Sequence, residues 1–257
     1  MLHHTKFGWK PDLPDHRDLS YKTHHFKADK PIKLPKSVDL RTSGFMPPIM
    51  DQGELGSCTS FAISSALEYD RRKQKIKVFT PSHLFIYYNE REMEGTVDQD
   101  AGGEIRDGIK SVSSTGYCDE VIWPYDTNQF AVKPSQACYT QAKKYKATNY
   151  FRIDNSDIKQ LKSCLYAGFP FVFGVTVCKS FYNADQNNGI VPLPTADDQV
   201  LGGHAILCVG YDDATKLFTI HNSWSTDAGD KGYYYLPYDY LTNTNLADDF
   251  WTIRSLV

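Results

Sequence analysis

The spacing of hydrophobic residues changes from a helical period in the first half of the chain to a strand period in the second half. After Cys58, small and apolar residues recur at helical spacing and predict a helix to about Lys73. Thr80 and Pro81 predict the start of a second helix, because threonine caps helix N-termini and proline suits the first helical position. A third helix is predicted over residues 104–114.

The second half begins with a predicted helix over residues 157–166, with Asn155 or Ser156 as its N-cap. Residues 212–216 look like a hairpin loop. The predicted strands cover residues 169–177, 205–211, 217–221, 232–236 and 250–253. A helical half followed by an antiparallel β half predicts an α+β fold with a cleft between two lobes.

The N-terminal stretch has no sustained periodicity and carries four prolines within its first 35 residues. We therefore place a leader at residues 1–33, either an arm lying on the body or a removable segment. The remaining residues 34–257 are predicted to form the folded domain. Within it, residues 34–145 should form the mainly helical lobe and residues 146–257 the mainly β lobe.

Composition narrows the classes of function. Hydrophobic residues make up 41% of the 257 residues, which is enough for a core. The formal net charge of −3 gives no electrostatic case for a nucleic acid or an acidic membrane surface as partner. No apolar run approaches 18 residues, so no membrane-spanning helix is predicted. The pairs His3-His4 and His24-His25 lack further spaced ligands, so neither a metal nor another cofactor is expected.

Cysteine usage and the first residues bear on the compartment. The chain starts without the apolar stretch of a secretory signal, and six cysteines are too sparse for a disulfide scaffold. If Cys58 is a working thiol, five cysteines remain, which is an odd number. We therefore expect a reducing, intracellular environment, although the sequence leaves one disulfide bridge open.

The candidate chemistry starts at the loop that precedes the first helix. Gly53 and Gly56 permit a backbone conformation that other residues resist, and Ser57 can cap the helix. Cys58 then lies at the helix N-terminus, where the macrodipole favours a thiolate. On this loop alone, Cys58 could equally be an ordinary buried cysteine.

Two residues of the β half supply partners for a nucleophilic thiol. His204 is predicted at the start of a strand, 146 residues after Cys58, and Asn222 at the end of the next strand, a further 18 residues on. A thiol nucleophile needs a base that later protonates the leaving amine, and the imidazole needs a partner that fixes its orientation. Cysteine, histidine and asparagine can fill these roles once the chain has folded.

The ordered motifs resemble those of the papain-like cysteine peptidases over about residues 34–257. The segment Gln-Gly-Glu-Leu-Gly-Ser-Cys-Thr is most similar to the branch of this family found in prokaryotes and large DNA viruses. If the protein is viral, we expect it to be packaged in the virion. The matching segments are Ser37-Val-Asp-Leu-Arg, Asp51-Gln-Gly, Gly56-Ser-Cys, Ala101-Gly-Gly, Trp123-Pro-Tyr, Gly203-His-Ala, Val209-Gly-Tyr and Asn222-Ser-Trp.

The resemblance implies a papain-like two-lobe fold with a barrel-like β lobe, and it implies a role for each matching residue. Cys58 would be the nucleophile and His204 the general base and acid. Asn222 would orient the imidazole, and Trp224 would shield that hydrogen bond. Gln52 would stabilise the oxyanion together with the backbone N–H of Cys58.

Five glycines are implied to contact substrate. Gly102 and Gly103 would hydrogen-bond an extended substrate backbone. Gly174 and Gly202 would face the S2 pocket, which sets preference in this family, with Gly203 beside them. Asp248 or Asp249 would add acid to that pocket, and the preferred side chain stays open.

Departures from the family pattern are also informative. The two cysteines of a family disulfide are replaced by Leu55 and Asp100, and the tryptophan that usually follows the nucleophile is Thr59. Gly203 stands where an aspartate is common, so the pH profile is expected to differ. The replacement at residue 59 bears on local packing rather than on the chemistry.

The expected function is thiol endopeptidase action by a monomer on extended polypeptides. Residues 126–139 contain no histidine, so the His-His occluding loop of exopeptidase relatives is absent. The leader is expected either to restrain activity from the cleft or to be a permanent structural arm. Two other readings are a catalytically silent papain-like binding or structural protein and an acyl transferase such as a peptide ligase.

Overall fold

The computed structural model describes residues 6–22 and 33–257, so the histidine pairs His3-His4 and His24-His25 lie outside the described residues. The helices that build the fold are α1 (Cys58–Lys73), α2 (His83–Glu94), α3 (Ile105–Ser114), α4 (Gln136–Ala142), α5 (Ile158–Tyr166) and α6 (Tyr238–Thr242). None of the described helices is both long enough and apolar enough to cross a membrane.

Nine described strands accompany these helices. They are β1 (Trp9–Lys10), β2 (Ser37–Asp39), β3 (Gly103–Glu104), β4 (Ala147–Arg152), β5 (Phe171–Cys178), β6 (Val200–Asp212), β7 (Leu217–His221), β8 (Tyr233–Pro237) and β9 (Ala247–Leu256). The large sheet has the antiparallel order β4-β9-β5-β6-β7-β8, and β2 adds to β6.

The large sheet is open, which corrects the expectation of a barrel-like lobe. Among the described residues no pairing joins its two edge strands, β4 and β8. The chain leaves β8 directly into α6, and α6 packs against β8 and β9. A helix therefore lies on this side of the sheet, and β8 does not turn to meet β4. The α+β class is confirmed.

Helix α1 is the buried axis that joins the helical lobe to the sheet. Every residue from Cys58 to Arg71 on it is buried, because the helix packs against α2 and α3 on one side and against β6 and β9 on the other. The Arg71 guanidinium is satisfied inside the core by the Lys77 carbonyl and the Tyr117 hydroxyl, and it stacks on the Phe79 ring. This packing fixes the position of the first residue of α1 between the two lobes.

The predicted elements are present, but two helix caps differ from the prediction. Helix α2 is capped by Ser82, whose hydroxyl accepts from the Phe85 N–H, whereas the Thr80 hydroxyl donates to Glu68. Helix α5 is capped by Asp157, not by Asn155 or Ser156. The Asn155 amide instead donates to two backbone carbonyls of the β half, at residues 241 and 247. Thr80 and Asn155 therefore form hydrogen bonds with residues distant in the sequence rather than with the helix that follows them.

Candidate active site

The leader occupies the cleft between the lobes. Its strand β1 pairs in parallel with β3, and Gly103 N–H donates to the Gly8 carbonyl at 2.8 Å. Residues 6–22 of the leader therefore lie on the body of the protein. Residues of the leader therefore lie next to the site residues. We call this state, with the leader in the cleft, the closed arrangement.

Cys58 is the first residue of α1 and has no exposed surface. The preceding loop adopts a φ of 60° at Gly53, as the glycine there predicted. Ser57 stands at the N-cap position but does not cap the helix, which corrects that expectation. Its hydroxyl lies 2.7 Å from the Tyr125 hydroxyl, and Tyr125 also donates to the Gln52 carbonyl. A side chain from a distant loop thus holds the turn before the nucleophile.

Gln52 is fully buried, and its amide is fixed at both ends. Its Oε1 accepts from the Ser223 hydroxyl at 2.7 Å, which leaves Nε2 as the donor on the cleft side. Nε2 donates to the Leu55 carbonyl at 3.0 Å and to the Lys6 carbonyl of the leader at 3.2 Å. The predicted oxyanion donor therefore already holds a peptide carbonyl.

His204 and Asn222 meet as the sequence predicts. Imidazole Nε2 donates to Asn222 Oδ1 at 2.7 Å, and Oδ1 also accepts from Ser223 N–H. The Trp224 ring stacks on the imidazole with centroids 4.6 Å apart and a 25° angle between the planes. Nδ1 of His204 is buried without a hydrogen-bond partner among the described residues. It is the nitrogen left to exchange a proton with a thiol.

The Cys58 thiol lies beside the peptide group that joins His204 to Ala205. Its sulfur is within hydrogen-bond reach of the Ala205 and Gly8 backbone N–H groups. Burial nevertheless raises the pKa of the Cys58 thiol to about 12 and lowers the pKa of His204 to about 4. Desolvation thus outweighs the helix macrodipole, which the sequence predicted would favour a thiolate. With the leader in place both groups are neutral.

Four of the five glycines predicted to contact substrate face the leader, and the fifth, Gly103, faces Glu90 and meets the leader through its backbone N–H. Gly102 has a φ of 71°, and a Cβ there would lie 2.0 Å from the Gly8 carbonyl oxygen. A Cβ on Gly174 would enter the Trp9 indole, at 1.9 Å, and one on Gly203 would meet the Trp9 carbonyl. Gly202 faces the Phe7 ring, and Gly103 donates to the leader backbone. These close approaches exist because the positions lack side chains.

Trp9 fills the pocket lined by Gly174 and Gly203, and an acid lies at the end of that pocket. The indole Nε1 donates to Asp249 Oδ2 at 3.0 Å, and the Asp12 backbone N–H donates to the same oxygen at 2.8 Å. Arg152 Nη2 lies 2.9 Å from the other oxygen of Asp249. Burial raises the pKa of Asp249. Of the two acids that the sequence suggested, Asp249 is the buried one.

Asp100 ties the nucleophile loop to the substrate-binding segment. Its Oδ1 accepts from the Gly56 N–H at 3.1 Å and from the Tyr87 hydroxyl, and the Lys6 ammonium lies 2.6 Å from Oδ2. The sequence marked residue 100 only as the place of a missing family cysteine. A carboxylate here makes a non-covalent link at the loop where the family has a disulfide.

Thr59 also has a partner that the sequence did not indicate. Its hydroxyl donates to Glu90 Oε1 at 2.5 Å, and Glu90 is fully buried between Gly103 and Gly108. Burial raises the pKa of Glu90 well above its usual range. The smaller residue after the nucleophile therefore makes room for a buried carboxyl of α2.

The described residues contain no group of three or more potential ligands that could hold a metal ion.

Comparison with known families gives one match over most of the chain. The family model described as papain family cysteine protease matches residues 34–251. A peptidase C1-like protein of Acanthamoeba polyphaga mimivirus is 40% identical over 97% of this chain and 87% of its own length. A cathepsin L-like peptidase of Aedes aegypti is 27% identical, and the match spans 79% of this chain but only 58% of the mosquito protein.

A solved structure is similar over nearly the whole chain. The cysteine protease xylellain of Xylella fastidiosa is 43% identical, with a TM-score of 0.87, over 98% of this chain and 97% of its own. The match therefore extends into the leader as well as the two lobes.

The burial of His204 predicts its titration. In the full chain we expect its imidazole to stay neutral down to about pH 5, because burial lowers its pKa to about 4. An unfolded imidazole has a pKa of about 6.5 and therefore binds a proton more readily than the buried one. The free energy of unfolding is therefore highest above about pH 6.5 and decreases as the pH falls towards 4. Nitrogen NMR of the imidazole rings measures the pKa of His204.

The His204→Gln variant assigns the signal, which is needed because His221 is also buried and its pKa is lowered to about 4. A His204 midpoint between about pH 6 and pH 8 would show that the imidazole is not desolvated by the leader.

Proposed function

The chain belongs to the papain family of cysteine proteases and is a thiol peptidase that acts on polypeptides, and we propose that Cys58 is its nucleophile and that its own leader restrains it. The observation that carries this proposal is the position of the leader backbone, in which the Lys6 carbonyl accepts from the Gln52 amide and the Gly8 carbonyl accepts from Gly103.

The proposed reaction begins once the leader has left the cleft. Solvent then reaches the thiol and the imidazole, and Nδ1 of His204 takes the Cys58 proton to give a thiolate–imidazolium pair. The Asn222 carbonyl oxygen holds the ring through Nε2, which leaves Nδ1 as the ring nitrogen without a hydrogen-bond partner among the described residues. The thiolate attacks the carbonyl carbon of the scissile peptide bond, and the carbon–sulfur bond forms as the carbonyl electrons move to oxygen.

The oxyanion is proposed to bind where the Lys6 carbonyl now lies. Gln52 Nε2 already donates to that carbonyl, and the Cys58 backbone N–H at the start of α1 is the second donor. Collapse of the intermediate expels the amine, which takes the proton from His204 and leaves an acyl-enzyme. Water activated by the same imidazole then hydrolyses the thioester.

We propose endopeptidase action because the loop after Tyr125 lacks the histidine pair with which exopeptidase relatives occlude the cleft. Residues 126–139 hold no histidine. Asp126 caps a short 3-10 helix at Thr127–Gln129. A substrate chain could therefore continue past both ends of the site, as cleavage within a polypeptide requires.

The leader is proposed to act as an inhibitor because it covers each catalytic group. The Phe7 ring contacts His204 and Trp224 with centroids 6.4 Å from each. The Lys6 carbonyl takes the Gln52 donor, and the Gly8 N–H faces the thiol. Cys58 and His204 have no exposed surface as a result.

The leader is held at a second place, beyond the cleft. Asp12 accepts from the Arg106 backbone N–H and from the Trp251 indole. Asp18 forms ion pairs with Arg106 at 2.7 Å and with Arg152 at 3.4 Å. Release of the leader must therefore break these hydrogen bonds and ion pairs and expose the apolar surface of Trp9, and the burial of that surface favours the closed arrangement.

The bound leader is not arranged as a substrate. The carbonyl on the Gln52 amide belongs to Lys6, whereas the backbone group on the thiol is the N–H of Gly8. Cleavage needs one carbonyl whose carbon faces the sulfur while its oxygen faces the oxyanion donors. The two contacts involve different peptide groups, which is why the leader can lie across the thiol without being cut.

The Gly8→Ala variant tests the restraint. A Cβ at residue 8 would lie 1.9 Å from the Gly56 carbonyl oxygen, so the leader must shift out of the cleft. Overpacking typically costs about 1–3 kcal/mol, which predicts a rise of about 10- to 100-fold in the hydrolysis of a fluorogenic peptide.

Leu13→Ala is the matched control, because Leu13 lies in the same leader but is 76% exposed, and its activity should equal that of the native chain. Equal activity of the native chain and a normally folded Gly8→Ala variant would show that the leader is a structural arm.

The catalytic roles are tested in the Gly8→Ala background, so that the leader does not mask them. We expect Cys58→Ala to abolish hydrolysis and Gln52→Ala to lower kcat by about 10²–10³ with little change in KM. Cys178→Ala is the control, since Cys178 is a second buried thiol, at the last residue of β5. A Cys58→Ala variant that retains hydrolysis would refute the assignment of the nucleophile.

We propose that the Trp9 pocket takes the second residue before the cleaved bond and prefers a large aromatic side chain with an N–H donor. Asp249 Oδ2 would then accept from the substrate as it does from Trp9. A hydrogen bond to a charged group is worth about 1.5–3 kcal/mol, so a tryptophan peptide should exceed its naphthylalanine isostere by about tenfold or more in kcat/KM. Equal values for the two peptides would exclude Asp249 from recognition.

A further inference from the structure

Two thiols outside the active site share one small buried cluster in the helical lobe. Cys118 follows α3 and Cys138 lies on α4, and with Phe85 and Ala142 they form an apolar cluster with no exposed surface. All six cysteines of the chain are free thiols. Burial, followed by the neighbouring Cys138 thiol, raises the pKa of the Cys118 thiol, as expected for two side chains that share this cluster.

The segments that carry the two thiols are held together on both sides of the pair. The Cys138 sulfur lies 3.2 Å from the Ser135 hydroxyl and 3.8 Å from the Ile122 carbonyl oxygen. The Asp119 N–H donates to the Gln141 side chain at 2.6 Å. The fold therefore brings the segments that carry the two thiols together before any covalent bond exists.

We propose that Cys118 and Cys138 form a disulfide when the protein meets a low-molecular-weight disulfide such as oxidised glutathione. The bond would close a loop of roughly 20 residues. It pairs residues other than positions 55 and 100, where the chain lacks the family cysteines.

The exchange proceeds in two balanced steps. The Cys138 thiolate attacks one sulfur of glutathione disulfide, forms a mixed disulfide and releases one glutathione thiolate, which takes up a proton. The Cys118 thiolate then attacks the Cys138 sulfur and releases the second glutathione. The protein loses two hydrogen atoms, and glutathione disulfide is reduced to two thiols.

Access to the buried pair comes through α4. Only Cys138 and Ala142 of its seven residues are buried, so few apolar contacts hold this helix down. Segments of this kind open locally without global unfolding. A disulfide at residue 138 would anchor the helix at its main buried contact.

The closed loop would also carry a contact to the active site. It contains Tyr125, whose hydroxyl meets the Ser57 hydroxyl and donates to the Gln52 carbonyl. Ser82, which caps α2, donates to the Trp123 carbonyl in the same loop. The disulfide would thus stabilise the turn that positions the nucleophile.

The test incubates the full chain with glutathione disulfide, alkylates the remaining thiols after denaturation and maps the peptides by mass. We expect four alkylated cysteines and one linked peptide pair containing residues 118 and 138. Loop closure of this length also predicts a rise in Tm of about 5–10 °C on oxidation. Cys178→Ala should keep the link and the rise in Tm, whereas Cys138→Ala should lose both.

Six alkylated cysteines in the oxidised native chain would overturn the proposal. So would glutathione adducts without a linked pair, or a rise in Tm that persists in Cys138→Ala.

Discussion

The structure depends on the desolvation of one thiol and one imidazole beneath the chain's own leader. Gly8 can lie against the Cys58 sulfur because it lacks a Cβ, and Phe7 and Trp9 fill the space on either side. Burial favours the neutral forms of Cys58 and His204, because transferring either charge out of water costs more than the helix dipole returns. In the proposed restraint, the contacts that complete the core of the cleft also keep both groups neutral, and release of the leader would rehydrate them together.

The sequence was sufficient for the parts of the site that rest on local patterns. Cys58 was expected at a helix start, His204 on a strand and Asn222 at the end of the next, and the hydrogen bond between the last two is present. The leader's position was left undecided, because residues 6–12 have no periodicity and their pairing with β3 depends on glycines about 95 residues away. Likewise Ser57 looked like a cap but binds Tyr125, since a local pattern cannot reveal a competing tertiary partner.

Three carboxyl groups make contacts at positions where the sequence departs from the family pattern or at the pocket that Trp9 fills. Asp100 replaces one half of a disulfide and links Gly56 to Tyr87 by hydrogen bonds. Asp249 closes the pocket that Trp9 fills, and Glu90 occupies room left by Thr59. Hydrogen bonds and ion pairs can be broken and remade without a redox reaction, which suits the proposed release of the leader. The cluster that holds Cys118 and Cys138 lies instead in the helical lobe.

The most direct test of the account is the intact mass of the protein after exposure to an epoxysuccinyl inhibitor that alkylates activated thiols. We would compare the full chain, a 34–257 form verified as folded by circular dichroism, and the Cys58→Ala variant of each. The account predicts a single adduct that Cys58→Ala abolishes and that forms much faster in the shorter form. A folded 34–257 form that stays unlabelled would contradict Cys58 as an activated nucleophile, and equal labelling rates would contradict restraint by the leader.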